Sequence, residues 1–156
     1  MTPLAWVLGF ILPACGAEGA AGLPVPTPMD MTRIERPATP NTFLAGPAGM
    51  RPPPDEVTAE RALPAPRLYD DARAAFGGQP STYVAAEFPD RLQVHYVVRS
   101  ALLNYPDLVT VQVNALGDDR STLTIWSRSV YGRSDFGVNR ARTEAWLAAL
   151  QQTKER

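Results

Sequence analysis

The chain has 156 residues, with 15 Lys and Arg residues against 16 Asp and Glu residues, so it has the length of one domain and almost no net charge. This balance excludes a strongly basic nucleic-acid-binding protein, and we expect no nucleic-acid partner. A single histidine and a single cysteine exclude a structural zinc site built from Cys and His, and they exclude a disulfide within the chain. We therefore expect no metal and no cofactor.

The N-terminal residues resemble an export signal. Residues 4–12 form an uninterrupted apolar run, which is shorter than the ~20 residues that a membrane-spanning helix needs. Cys15 follows in a context similar to a bacterial lipobox, although Pro13 and the absence of Lys or Arg in residues 1–3 depart from that pattern. The alternatives are cleavage near Ala20, an uncleaved peripheral anchor and an unmodified cysteine. We predict a signal or lipobox-like segment over residues 1–15, and an exported protein on the periplasmic side of the cell envelope.

Proline divides the remaining chain. Thirteen of the 16 prolines lie in residues 1–66, and proline fixes φ and lacks an amide donor, so long regular elements are excluded there. Residues 16–35 are rich in Ala, Gly and Pro, which predicts a flexible tether to the membrane. The chain stays rich in turns up to residue 56, where we expect irregular structure packed on a globular domain that spans residues 36–156.

Periodicity then predicts regular elements. Residues 67–76 repeat apolar positions at helical spacing and are followed by two glycines, and residues 138–152 carry a second apolar stripe. Alternation in residues 108–115 places three valines on one side of a pleat, and a tight Gly- and Asp-rich connection to the next segment requires antiparallel pairing. The predicted β-segments are residues 57–63, 81–88, 91–101, 108–115 and 121–131. These elements predict an α+β fold, with an antiparallel sheet of about four to five strands and two helices packed on one face.

The most unusual stretch runs from the last β-segment through a glycine-containing turn into the final helix, over residues 127–142. Several arginines surround a helix start, where unpaired backbone amides and the helix dipole favour an anion. The candidate ligand-binding residues are Arg128, Arg133, Ser134, Asp135, Asn139, Arg140 and Arg142. The partner would be an anionic small molecule or an envelope component. The competing interpretation is structural, because the same arginines can pair with Asp135 and Glu144 and brace the sheet against the helix.

Residues 129–142 resemble the closing pattern of the bacterial and plastid family called domain of unknown function 1499 (DUF1499). Weaker similarities lie at residues 36–37, 40–41, 99–100 and 106–107, so the resemblance covers roughly residues 36–152. It implies an exported or envelope-associated α+β domain and implies no activity. Many members place cysteine after Pro-Asn, whereas Thr42 follows Asn41 here.

An enzymatic role would need a base, and His95 is the only histidine. A hydrolase would require Ser127 or Ser129 within hydrogen-bond reach of His95, with Asp107 or Asp135 orienting the ring. A lone strand histidine is more often a surface or hydrogen-bonded residue, and the sequence contains none of the common nucleotide-binding or metalloprotease motifs. We predict a non-catalytic binding or accessory module, with the hydrolase and a purely structural Arg/Asp-braced domain as alternatives. The catalytic residues, if any exist, stay unassigned.

Overall fold

The computed structural model describes residues 17–153. The predicted export signal over residues 1–15 and the predicted lipidation of Cys15 lie outside these described residues.

The framework of the domain is one six-stranded sheet in the order β2-β1-β6-β5-β4-β3. Its strands are β1 (Thr42–Gly46), β2 (Glu56–Val57), β3 (Thr82–Phe88), β4 (Gln93–Arg99), β5 (Pro106–Ala115) and β6 (Ser121–Ser129). Neighbouring strands are antiparallel except β1 and β2, which are parallel. The α+β class is confirmed, but the sheet is mixed and has one strand more than the upper end of the expected four to five.

The additional strand, β1, comes from the proline-rich stretch that we expected to be irregular. β1 is only five residues long and is buried at four of them, so it lacks the polar alternation that marks a strand in a sequence. Its partner is β6, about 80 residues away along the chain, and the pairing joins Phe43 to Ser127 and Leu44 to Trp126. Of the strand predicted over residues 57–63, the structure retains the two-residue β2 and an isolated bridge between Arg61 and Ser121.

Two helices, α1 (Ala65–Gly77) and α2 (Val138–Thr153), cover one face of the sheet. Pro66 lies in the first turn of α1, where a missing amide costs nothing. The two helices meet where Phe76 stacks on Trp146 at a centroid distance of 4.9 Å, and Tyr96 of β4 packs edge-on against the same indole at 5.3 Å. The alternating apolar residues of β4, β5 and β6 complete this core. The prediction of two helices on one face is therefore confirmed.

The opposite face of the sheet, here called the outer face, is covered by residues 17–36, here called the N-terminal strap. Met31 and Ile34 of the strap are buried against Leu44 and Trp126. The expectation of a flexible tether over residues 16–35 rested on how little apolar surface that stretch can bury. That argument left out hydrogen bonds from polar side chains of β4 to the backbone of the strap.

Candidate functional site

The structure separates the predicted ligand-binding residues into three groups. Asp135, Asn139 and Arg142 meet at the start of α2, between that helix and the helix-covered face of the sheet. Arg128 follows the alternation of β6 and lies on the outer face, where it lines a cavity. The remaining three residues, Arg133, Ser134 and Arg140, are exposed on the loop before α2 and on its first turn. The predicted arginines therefore do not form a single cluster.

Asn139 is the centre of the buried group and is completely inaccessible to solvent. Its amide Nδ2 donates to the Asn41 carbonyl (3.0 Å), to Ser129 Oγ (2.9 Å) and to Asp135 Oδ2 (2.7 Å). Its Oδ1 accepts from Ser127 Oγ at 2.5 Å. One side chain thereby links the chain entering β1, the end of β6 and the turn before α2.

Arg142 extends the same network by one turn of the helix. Its Nη1 donates to Asn139 Oδ1 (2.8 Å) and to Ser127 Oγ (3.0 Å), and its Nη2 forms an ion pair with Asp107 Oδ2 at 2.5 Å. The side chains of Arg142 and Asp107 are 9% and 10% exposed, so the pair is shielded from water. This guanidinium is already occupied by groups of the protein. We call the network of Asn41, Asp107, Ser127, Ser129, Asp135, Asn139 and Arg142 the junction brace.

Asp135 closes the junction brace at the helix start. Its carboxylate accepts from the backbone amides of Gly137 and Asn139, each at 3.0 Å, and so satisfies donors that the first turn leaves unpaired. Gly137 adopts φ +81°, which glycine accepts without strain. Burial opposes ionisation of Asp135, but these hydrogen bonds outweigh it and hold the pKa of the carboxyl below its ordinary value.

The exposed arginines have different surroundings. Arg140 pairs with Glu144 one turn along α2 at 2.8 Å, and its guanidinium lies 5.8 Å from the centre of the Phe43 ring. Arg133 is exposed and has no ion pair within residues 17–153. Neither residue contacts the junction brace through a hydrogen bond that the structure describes.

The hydrolase alternative is wrong, because the sheet itself separates its residues. Ser127 and Ser129 point to the helix-covered face, where both bind Asn139. His95 pairs across the sheet with Thr110, which in turn is opposite Trp126, and all three face outward. Successive residues of a strand point to opposite faces, so no side-chain hydrogen bond can join His95 to either serine. Both candidate acids belong to the junction brace.

The outer face carries a second polar group, centred on Gln93. This residue is fully buried, and its amide both accepts from the Met29 backbone amide (2.7 Å) and donates to the Met29 carbonyl (2.8 Å). Arg99 acts similarly at the end of β4 and donates to the carbonyls of Gly19 and Ala21. Two polar side chains of one strand thus hold the N-terminal strap on the sheet.

His95 lies beside Gln93 and has both ring nitrogens engaged. Since Gln93 Oε1 can only accept, His95 Nε2 must be the donor of their 2.9 Å bond, which leaves Nδ1 to accept from the Thr110 hydroxyl at 3.2 Å. Burial, and secondarily the nearby charge of Arg128, lower the pKa of His95 from 6.5 to about 4. The ring is therefore neutral at neutral pH and holds the sheet face together.

Between the strap and the outer face lies a cavity of about 430 Å³, which we call the outer cavity. Its strap wall is residues 23–29, which are mostly apolar or proline, and its sheet wall includes Val97, Leu108 and Thr110. Arg128 also lines it, and within residues 17–153 the Arg128 guanidinium forms no hydrogen bond or ion pair. Arg128 as a whole is exposed, and partial desolvation of its guanidinium lowers its pKa. The outer cavity thus combines an apolar lining with one unpaired cation.

The sequence matches a known family over most of its length. The model of DUF1499, described as a protein of unknown function, matches residues 35–150. The chain is a DUF1499 protein. The matched range contains every residue of the junction brace, whereas the strap up to residue 34 lies before it. In this DUF1499 protein one wall of the outer cavity is therefore built by chain outside the family match.

Solved structures with partly similar folds have low identity to this DUF1499 protein. They include the di-domain ARO/CYC StfQ from the steffimycin biosynthetic pathway, with 12% identity, a TM-score of 0.48, and coverage of 64% of this chain and 44% of that chain. Protein MLL2253 from Mesorhizobium loti has 13% identity, a TM-score of 0.45, and coverage of 64% and 96%. A putative uncharacterised protein from Rhizobium leguminosarum has 16% identity, a TM-score of 0.41, and coverage of 64% and 93%.

Likeness at this level carries no functional implication, and this DUF1499 protein spans less than half the length of StfQ. None of the curated proteins matches the sequence. Within residues 17–153 no helix is long and apolar enough to cross a membrane, and no group of three or more potential ligands is placed to hold a metal ion.

Two parts of this description were not predicted as sites. Asn41 was visible in the sequence only as part of a weak family similarity, Asp107 was considered only as an acid for the hydrolase alternative and as part of another such similarity, and neither was included among the candidate ligand-binding residues. The outer cavity had no sequence signal of its own, because its walls come from a proline-rich stretch and from strands distant along the chain. Arg128 was among the candidate ligand-binding residues, but it lies on the other side of the sheet from Asn139 and Arg142.

Because His95 is buried, we predict that acid lowers the free energy of unfolding of this DUF1499 protein. The unfolded chain binds a proton near pH 6.5, whereas folded His95 resists protonation until about pH 4. Stability should therefore be complete above pH 6.5 and fall as the pH drops from 6.5 to 4, by about 2 to 3 kcal/mol. We expect the stability advantage of the native protein over His95→Gln to shrink by that amount between pH 7 and pH 4, as measured by urea unfolding. Parallel pH profiles for the two proteins would contradict the assignment.

Proposed function

We propose that this DUF1499 protein is a non-catalytic binding module, exported and held at the envelope membrane by its N-terminal residues, which captures an amphipathic anion in the outer cavity. The observation that carries the proposal is Arg128, a guanidinium without a partner in residues 17–153 that lines a mostly apolar cavity. Cavities of a few hundred Å³ with an apolar lining and few polar groups are the usual form of small-molecule sites.

The polar groups of the two faces support this choice of site. At the start of α2, the Arg142 guanidinium is paired with Asp107, and the carboxylate of Asp135 is bound by backbone amides. An anion that bound there would have to displace these partners. Arg128 has no such partner to lose, so binding at the outer cavity requires no rearrangement of the junction brace.

The charge and shape of the cavity indicate the class of ligand. One guanidinium matches one carboxylate or phosphate group, and a guanidinium partly removed from water gains more from that pairing than a fully hydrated one. The apolar lining, which includes Leu23, Val97 and Leu108, suits a hydrocarbon portion. His95 and Thr110 are hydrogen-bonded to each other and form part of the cavity wall.

Support for export and tethering comes from the sequence of residues 1–15, with its apolar run and the lipobox-like setting of Cys15. A competing proposal is that the domain is purely structural, and the junction brace favours it because that network is complete without any ligand. The two proposals differ in what they expect of the outer cavity.

A titration with matched ligands tests the proposal. Dodecanoate and dodecanol share a hydrocarbon chain and differ in charge, so calorimetric titration of the full chain with each isolates the contribution of Arg128. We expect dodecanoate to bind more tightly than dodecanol, and Arg128→Gln to weaken dodecanoate binding by about 10- to 100-fold while leaving dodecanol unchanged, as loss of one charge-assisted contact predicts. Arg140→Gln is the matched control and should leave both unchanged. Absence of binding, or equal losses in the two variants, would favour the structural alternative.

A further inference from the structure

One end of the sheet carries an unusual concentration of exposed apolar side chains. The β4–β5 connection (residues 100–105) and the β6–α2 connection (residues 130–137) lie side by side there, since Val130 donates to the Pro106 carbonyl and the rings of Tyr105 and Tyr131 lie 6.1 Å apart. We call these two loops the loop pole. The β5–β6 turn lies at the opposite end of the strands, about 30 Å away over a ten-residue strand.

The apolar residues of the loop pole are far more exposed than structural packing requires. Leu102 is 90% exposed, Phe136 is 96% exposed, and Leu103 and Val138 beside them are more than 45% exposed. Residues 100–105 contain no charged side chain. Clusters of exposed large apolar residues on a domain mark surfaces that contact another apolar phase. Tyr105 and Tyr131 add amphipathic rings, which suit the boundary between water and lipid.

The N-terminal end of the described chain lies at this same pole. Asn104 Nδ2, in the β4–β5 loop, donates to the carbonyl of Ala17 at 3.0 Å. Residue 12 ends the apolar run, and five residues of chain span at most about 18 Å, so the chain connects Ala17 to the end of the run within that distance. Cys15 is closer still, within about 7 Å. The proposed anchor and the exposed apolar loops are therefore on the same side of the domain.

We infer that the loop pole is the membrane-facing surface, with Leu102, Leu103 and Phe136 inserted into the lipid interface next to the N-terminal anchor. This inference rests on the tether in the proposed function and adds the orientation of the domain on the bilayer. We choose a lipid surface as the occupant because the described chain begins at this pole, where Ala17 contacts Asn104, and the proposed anchor precedes Ala17 in the sequence. Placing the pole against the bilayer directs the opposite end, with the β5–β6 turn, away from the membrane.

Hydrogen exchange of the full chain measures this orientation directly. The protein would be compared free and bound to vesicles of phosphatidylethanolamine and phosphatidylglycerol, with flotation used to confirm binding. We expect exchange in residues 100–105 and 130–137 to slow by about fivefold or more on the vesicles, with no change in residues 116–120. Leu102→Ser/Leu103→Ser/Phe136→Ser should lose that protection. Val57→Ser/Leu116→Ser, which alters exposed apolar residues outside the pole, should keep it.

Each other result is informative. If the full chain does not float with vesicles, both the tether and the orientation are overturned. If it floats but protection lies at residues 116–120 or is spread evenly, the orientation is overturned and the tether stands. If the pole is protected in concentrated protein without vesicles, a second copy of the chain covers it and the lipid assignment is overturned. The exchange comparison on the unsubstituted chain decides the matter even if the triple variant folds poorly.

Discussion

Replacing Asn139 with alanine is expected to lower the free energy of unfolding by about 3 kcal/mol, a large share of the stability of a domain this size. The side chain is fully buried and takes part in five hydrogen bonds with other residues. Alanine removes all of them in a place that water does not reach, although the Asn41 carbonyl keeps the Ser129 amide and the Ser127 hydroxyl keeps Arg142. Each lost hydrogen bond contributes about 0.5 to 1.5 kcal/mol, so their combined loss accounts for the expected effect.

Urea unfolding of Asn139→Ala beside Arg140→Ala provides the test. The two positions are adjacent on α2, but the Arg140 side chain is exposed and its pair with Glu144 is a surface contact. We expect Arg140→Ala to leave the free energy of unfolding nearly unchanged. Similar losses for the two variants, or a loss below about 1 kcal/mol for Asn139→Ala, would show that the junction brace is not what holds α2 to the sheet.

Removing Arg142 is expected to have an effect of the same size for a different reason. Arg142→Met leaves the Asp107 carboxylate buried beside an apolar side chain, and breaking a buried ion pair in this way costs about 3 to 5 kcal/mol. Replacing both partners, as in Asp107→Leu/Arg142→Met, leaves no unpaired charge. The double variant should therefore lose less stability than the sum of the single variants, by about 2 kcal/mol.

A double-mutant cycle on urea unfolding measures this coupling, and the surface pair of Arg73 and Glu87 is the matched comparison. Their 2.6 Å contact is nearly as short as that of Arg142, but the two side chains are 37% and 31% exposed. A coupling below about 1 kcal/mol is expected there. Additive losses for Asp107 and Arg142 would contradict a brace. If Arg142→Met keeps its stability but binds dodecanoate more weakly, the ligand site would lie at the start of α2 and not in the outer cavity.

Much of the fold follows from local patterns. The helical stripes predicted both helices to within a few residues, and the alternation in residues 108–115 correctly placed three valines on one side of a strand. These predictions succeed because the periods of 3.6 and 2 residues are properties of the backbone itself. β1 escaped prediction because a short, buried strand has no alternation and its pairing partner is distant in the chain, whereas β2 retains only the first residue of the segment predicted over residues 57–63.

The candidate site was predicted less completely. The stretch over residues 127–142 led to Asp135, Asn139 and Arg142, which the structure joins through hydrogen bonds. It also included Arg128, and the alternation of β6 alone was sufficient to place that residue on the other face. The partner of Arg142, however, is Asp107, which lies 35 residues earlier on a neighbouring strand. Charge clustering in a sequence shows which groups are available and does not show which of them neutralise one another.

Composition, periodicity and the closing pattern were thus sufficient to establish the α+β class, the two helices and membership of the DUF1499 family. The tertiary structure determined three further features. Arg142 is paired with Asp107, and the sheet separates His95 from Ser127 and Ser129. Arg128 lines a cavity and has no partner within residues 17–153. The physical reason is the distance along the chain over which each interaction acts. Backbone periodicity acts over a few residues, whereas hydrogen bonds and ion pairs depend on which distant side chains the folded chain brings within about 3 Å.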